Sequence, residues 1–177
     1  EDVVAGFGAS QRIDSIIMIP AMTLGAAVTS MAGQNIGAQL WVRVNEIAKK
    51  GLVLILSVSF VISLIVFLSA DALIRLFISD KETIEFGARF LKTVAFFYPF
   101  LGINFALNGV VRAAGAMFQI LVLNFISFWV LRVPLTYIFS NWLGTDGIAY
   151  GIGVSFVISS VIAASYYTFG KWRSINL

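Results

Sequence analysis

The chain is 177 residues long, 59% hydrophobic and 12% charged, a charged share about half that of an average soluble domain, so its excess apolar side chains are expected to face lipid. It has no cysteine and no histidine, which excludes a disulfide framework, the usual Cys/His zinc sites and thiol or imidazole catalysis. Twelve Lys+Arg against nine Asp+Glu are too evenly scattered to form a basic stripe for nucleic acid.

The chain opens on Glu1-Asp2 with no initiator Met and no basic segment before an apolar run, so no signal peptide is expected. An acidic start leading straight into a helix is expected of a piece of a longer polypeptide. Five stretches then reach the ~20 helical residues that a ~30 Å hydrocarbon core requires. The first runs over 3–36, with Pro20 placed to kink it and Gly37 suited to its end. The second, 51–70, carries no charge. The third, 90–111, contains Pro99; the fourth, 118–139, carries Arg132 and Pro134; the fifth covers 147–169. These runs are too long for strands and lack strict alternation, so the expected class is an all-α integral membrane protein.

Between the second and third spans, 71–89 is amphipathic and is expected to lie at the interface and run into the third span. Ser79-Asp80-Lys81-Glu82 reads as a capping box, and Lys81–Glu85 and Glu85–Arg89 stand at i,i+4 spacing. If the first span ends in the cytoplasm, that side receives Arg43, Lys49, Lys50, Arg112, Lys171 and Arg173. The other side receives Arg75, Lys81, Arg89 and Lys92. The bias favours a cytoplasmic C-terminus.

Polar groups inside hydrocarbon need a reason. Asp14 is the one acid within an expected span. Gln11, Asp14, Met18, Met22, Gly25 and Thr29 follow steps of three and four and share a helical face. Two readings stay open: Asp14 binds a cation or proton in a cavity, or it sits at the outer interface and pairs with Arg12. Asn104 and Asn108, one turn apart, serve either as interhelical hydrogen-bonding groups or as substrate contacts. Arg132 stands two turns before Asn141 and is expected to snorkel outward, with gating as the second reading. Pro134 suggests a bend that frees backbone carbonyls. Gly33-x-x-x-Gly37 and Gly147-x-x-x-Gly151 read as packing sites.

Several segments together resemble the multidrug and toxic compound extrusion (MATE) family. They are Gln11-Arg12-Ile13-Asp14 followed by Pro20, then Met31-Ala32-Gly33-Gln34-Asn35-Ile36-Gly37-Ala38, then Gly109-Val110-Val111-Arg112-Ala113-Ala114-Gly115. Arg132-Val133-Pro134-Leu135 and Tyr166-Tyr167-Thr168-Phe169-Gly170-Lys171-Trp172-Arg173 complete the set. Gly33, Gln34, Asn35 and Gly37 form its most specific element. The resemblance implies helices eight to twelve of a twelve-helix transporter, most of one six-helix lobe, in a prokaryotic plasma membrane. It also implies an N-terminal lobe as partner, no organic cofactor, and export of small cationic or amphipathic substrates against Na⁺ or H⁺. One departure stands out: some members carry a cation-binding carboxylate in helix ten, whereas 90–111 holds no acid. A lipid-linked saccharide flippase of related fold, or a non-transporting scaffold, are the alternatives. An enzyme is not expected.

Overall fold

The computed structural model describes residues 2–174, and every element among them is helical. The first rod is α1 (Asp2–Ile17) and α2 (Ile19–Gly37), interrupted at Met18 because Pro20, at the start of α2, has no N–H to give the preceding turn. The second rod is α3 (Trp41–Arg75), 35 residues without a break. At 1.5 Å per residue it is about 50 Å long, well beyond the hydrocarbon thickness. The expected 51–70 run is therefore its apolar middle, and its polar first turns project past the bilayer.

The third rod is α4 (Lys81–Phe96) and α5 (Tyr98–Ala113), bent by 46° at Phe97. Pro99 causes the bend. Its missing N–H takes the i→i+4 partner from the carbonyl of Ala95, which instead accepts a backbone N–H at the end of α4 and the hydroxyl of Ser63 on α3 at 2.7 Å. The neighbouring helix thus supplements the hydrogen bonding at the break.

The fourth rod is α6 (Met117–Phe125), a π-helical segment (Ile126–Leu131) and α7 (Arg132–Leu143). Pro134 has no N–H for Val130, and the widened π turn sits where that bond is missing. Gly144, at φ 63° and ψ −141°, then turns the chain in a conformation that suits glycine alone. α8 (Gly147–Phe169) returns along the fourth rod. Its register is antiparallel: Gly147 meets Phe139, Gly151 meets Thr136, and Ser155 meets Arg132.

Three helical stretches, Val4–Gly37, Trp41–Arg75 and Met117–Phe169, are long and apolar enough to cross a membrane, and the bent α4–α5 pair makes a fourth. The antiparallel register divides the last stretch into two rods, giving five in all. Phe60, Leu64 and Leu68 on α3 and Phe118, Phe125 and Trp129 on the fourth rod stand exposed, a surface that suits lipid and not water.

Several local expectations change. The stretch 71–89 comprises the end of α3, a short turn and the start of α4, which runs on into the third rod. α4 is capped by Asp80, not Ser79: the Asp80 carboxylate accepts from the Thr83 N–H at 2.9 Å and its hydroxyl at 2.7 Å. A carboxylate at a helix N-terminus is the stronger acceptor and meets the positive end of the dipole, and these bonds hold Asp80 below the usual carboxylate range. Arg89 turns away from Glu85 to Asp146, 3.5 Å away. α2 ends in a Schellman turn: Leu40 N–H bonds Asn35 O and Gln39 N–H bonds Ile36 O, with Gln39 at φ 60°. The left-handed residue is therefore Gln39. Gly37 stays helical and open to space, so it is not a packing glycine, while Gly151 packs against the backbone of Thr136.

Where the C-terminal ends of α2, α5 and α8 gather with the start of α3, the tail docks. Trp172 is fully buried, donates to Tyr167 O at 2.8 Å and stacks on Tyr167 at 5.3 Å. Arg173 reaches Asn45 on α3 at 3.2 Å.

Candidate functional site

The backbone irregularities converge. Asp14 lies one turn before the Met18 interruption, and Tyr98 lies one residue after the Phe97 bend. The Tyr98 hydroxyl donates to Asp14 Oδ1 at 2.5 Å, linking the two breaks side by side. Asp14 therefore takes Tyr98 as its partner, and the expected pairing with Arg12, which is exposed, is not seen. The other carboxylate oxygen, Oδ2, accepts no hydrogen bond among the described residues.

The π-helical segment delivers Arg132 to the same neighbourhood. Its guanidinium turns inward, contrary to the snorkelling expectation. Nε donates to Ser155 Oγ at 3.2 Å, and the rings of Phe128 and Phe156 lie 4.6 and 5.1 Å from its central carbon. Two aromatic faces and a hydroxyl on α8 give a cation a partner set inside the protein, and that offsets the loss of water. One nitrogen, Nη2, remains buried without a partner. Arg132 and Asp14 form no direct ion pair with one another. The ion pairs among the described residues, Lys50–Glu46, Arg89–Asp146 and Lys92–Asp71, all lie toward helix ends.

One turn further toward the basic end, Asn104 Oδ1 accepts from Ser159 on α8 at 2.9 Å, while its amide donates to Phe100 O at 3.1 Å. Asn104 thus ties α5 to α8. Asn108 is also buried but makes no side-chain hydrogen bond among the described residues. Gly109 lets α2 approach α5 closely: a methyl group there would stand 3.0 Å from Gly25 O.

The remaining expected residues are dispersed. Gln11 and Met22 are exposed, so the proposed six-residue face does not line one cavity; the interruption at Met18 divides it. Gln34 is exposed, and Asn35 donates to Met31 O at 2.8 Å within its own helix, far from Asp14 along α2. Pro20 and Pro134 shape the rods and carry no polar contact. Tyr98, Ser155 and Ser159 escaped the sequence reading. The i,i+4 spacing of the two serines on an apolar helix is a signal that marks them; Tyr98 has none beyond standing before a proline.

Long apolar rods, sealed breaks and an internal carboxylate and guanidinium define a multi-pass helical membrane protein with a polar centre. The MatE family profile matches residues 1–138, and the chain belongs to that family. A Bacillus subtilis protein named probable multidrug resistance protein YpnP is 55% identical over all of this chain, which spans 40% of its length. A Thermotoga maritima protein named probable multidrug resistance protein NorM is 27% identical over 97% of this chain and 38% of its own. The chain thus spans about two fifths of the curated relatives it matches. Among solved structures, a MATE protein in a bent conformation superposes with a TM-score of 0.87 at 22% identity, covering 97% of this chain and 38% of that one. The MATE transporter ClbM in complex with Rb⁺ gives 0.86 at 19% identity, over 98% and 42%. At these identities the superpositions show the fold.

Proposed function

We propose that this chain is part of a secondary antiporter that exports small cationic or amphipathic compounds in exchange for Na⁺ or H⁺. It works with an N-terminal lobe in a bacterial plasma membrane, each of the five rods making one pass. The observation that carries the reading is the Asp14–Tyr98 hydrogen bond across two proline-induced breaks. Intramembrane carboxylates mark ion and proton pathways, and secondary transporters place their coupling-ion sites at broken helices; Asp14 stands where both features meet. The multidrug resistance names of the relatives support the substrate class, and the Rb⁺ bound by a structural neighbour supports a monovalent cation. The excess of Lys and Arg where the tail docks supports a cytoplasmic C-terminus.

The test is ethidium efflux and drug susceptibility in a transporter-deficient bacterium carrying the full-length gene. Wild type should confer efflux, and Asp14→Asn should abolish it while the protein still reaches the membrane. Efflux that survives Asp14→Asn removes Asp14 from coupling. A full-length protein that reaches the membrane and confers no efflux overturns the transport reading.

A further inference from the structure

We propose that the groove between α2 and α3 holds one anionic phospholipid, its phosphate at Arg43 and Lys50 and an acyl chain along α3. The site goes beyond the transport reading and does not depend on it.

Three observations carry it. The first is a shaped space. The groove encloses about 420 Å³ beside the close approach of α2 and α3, where a methyl group on Gly51 would run into Val28. Its walls are apolar, Leu24, Met31 and Leu54, and its mouth carries Arg43, Glu46 and Lys50. The second is uncompensated positive charge at that mouth. Glu46 meets Lys50 across 3.8 Å with both side chains exposed, and Arg43 makes no ion pair among the described residues. An exposed pair of this length holds its partners weakly, and the open guanidinium fork matches a phosphate. Asn35 stands at the same mouth; one amide hydrogen goes to Met31 O, which leaves the second for an oxygen of the headgroup.

The third is the stripe that joins charge to apolar surface. Arg43, Lys50, Leu54, Val61 and Ile65 follow steps of seven and four, so they lie on one face of α3. Leu54, Val61 and Ile65 are exposed, and Ser57 beside them turns its hydroxyl back to Val53 O at 2.9 Å, so the stripe asks nothing polar of its neighbour. From Leu54 to Ile65 it runs about 16 Å at 1.5 Å per residue, about half of a ~30 Å hydrocarbon core. A cationic mouth above one leaflet's length of apolar rail fits an anionic head on a long apolar tail. A small inorganic anion would leave the rail bare, and a zwitterionic lipid would bring its own ammonium group to Arg43.

Native mass spectrometry of the purified full-length protein tests this, with phosphatidylglycerol and phosphatidylcholine of identical acyl chains as probes. Wild type should retain phosphatidylglycerol about fivefold over phosphatidylcholine, the increment expected of one uncompensated basic residue at an anionic headgroup. The double variant Arg43→Gln, Lys50→Gln should bring that ratio to about one. Arg75→Gln, Lys81→Gln, which removes the same charge from the opposite end, should leave it unchanged. Ala27→Phe, which fills the groove and keeps its charges, should lower retention of phosphatidylglycerol. Equal retention of the two lipids by wild type overturns the proposal, as does a preference that survives Arg43→Gln, Lys50→Gln or falls equally in the control pair. Displacement of the lipid by glycerol phosphate, or retention unmoved by Ala27→Phe, overturns it too, because the rail would then hold no acyl chain.

Discussion

The two ends of the bundle solve the problem of living in lipid in opposite ways. At the basic end α2, α3, α5 and α8 run as regular helices, and an aromatic tail fastens them: Trp172 against Tyr167 and Trp41, Arg173 to Asn45. In the half that holds Asp14, three of the five rods are irregular. Each irregularity lies just before a proline: Met18 before Pro20, Phe97 before Pro99, and the π turn before Pro134. One end is built from backbone that satisfies itself. The other is interrupted by prolines, with a side chain, Ser63, reaching one of the affected carbonyls, and Asp14 and Arg132 lie there. Regular helix supplies stability, and broken helix supplies room for chemistry.

The largest expected effect tests the fastened end. Trp172 is 0% exposed, and truncation of a buried Trp costs about 3–5 kcal/mol. Trp172→Ala should lower unfolding stability in mixed micelles by that amount while leaving the dissociation constant for a cationic probe within about twofold, because Asp14 lies at the other end of its rod. A stability change under about 1 kcal/mol would mean the tail is not what holds this end. The next effect tests the seam between the ends. A side chain at Gly151 would start 2.5 Å from Thr136 Cα, so Gly151→Leu must push α8 off α7. Overpacking of this kind costs about 1–3 kcal/mol. Because Ser155, which holds Arg132, sits one turn further along the same seam, the variant should also lower ethidium efflux by the full-length protein. Intact efflux from a destabilised Gly151→Leu protein would uncouple the seam from the site.

The regular end was the more legible in sequence. Apolar runs longer than a bilayer is thick admit one solution, a helix, because lipid offers no partner to an unpaired backbone. Class, rod number and the positions of the prolines could be read from that alone. The site was half legible. Asp14 stood out because a carboxylate in an apolar run needs a reason. Its partner Tyr98 lies 84 residues away and looks, in sequence, like one more aromatic side chain. Arg132 was misread because its distance from the helix end permits snorkelling. What turns it inward is the pair Phe128 and Phe156, and Phe156 belongs to a different rod. The cap on α4 was missed by one residue because Ser79 and Asp80 are both good caps, and only the turn leading out of α3 decides between them. For Tyr98 and Arg132 the missing information was a contact between segments distant in sequence, which no local periodicity encodes.

The smallest expected effect is the most direct test of how the broken half is sealed. Ser63 donates to Ala95 O, the carbonyl that Pro99 leaves without its i→i+4 N–H, alongside one backbone N–H at the end of α4. If that is the purpose of the hydroxyl, Ser63→Ala should cost about 0.6 kcal/mol, the average for hydrogen bonds between membrane helices, and at most about 1.7. The cost should also depend on the proline. In a Pro99→Ala background the backbone N–H returns at position 99, Ala95 O regains its partner within the helix, and Ser63→Ala should then cost close to nothing. A double-mutant cycle in mixed micelles therefore has a required sign: removing the proline must remove the penalty for losing the serine. Additive costs would show that Ser63 and Pro99 act separately, and that the 46° bend is held by packing alone. Coupling of the expected size would show that a helix in lipid can be broken where function needs it, provided a neighbour supplies the hydrogen bond that the break removed.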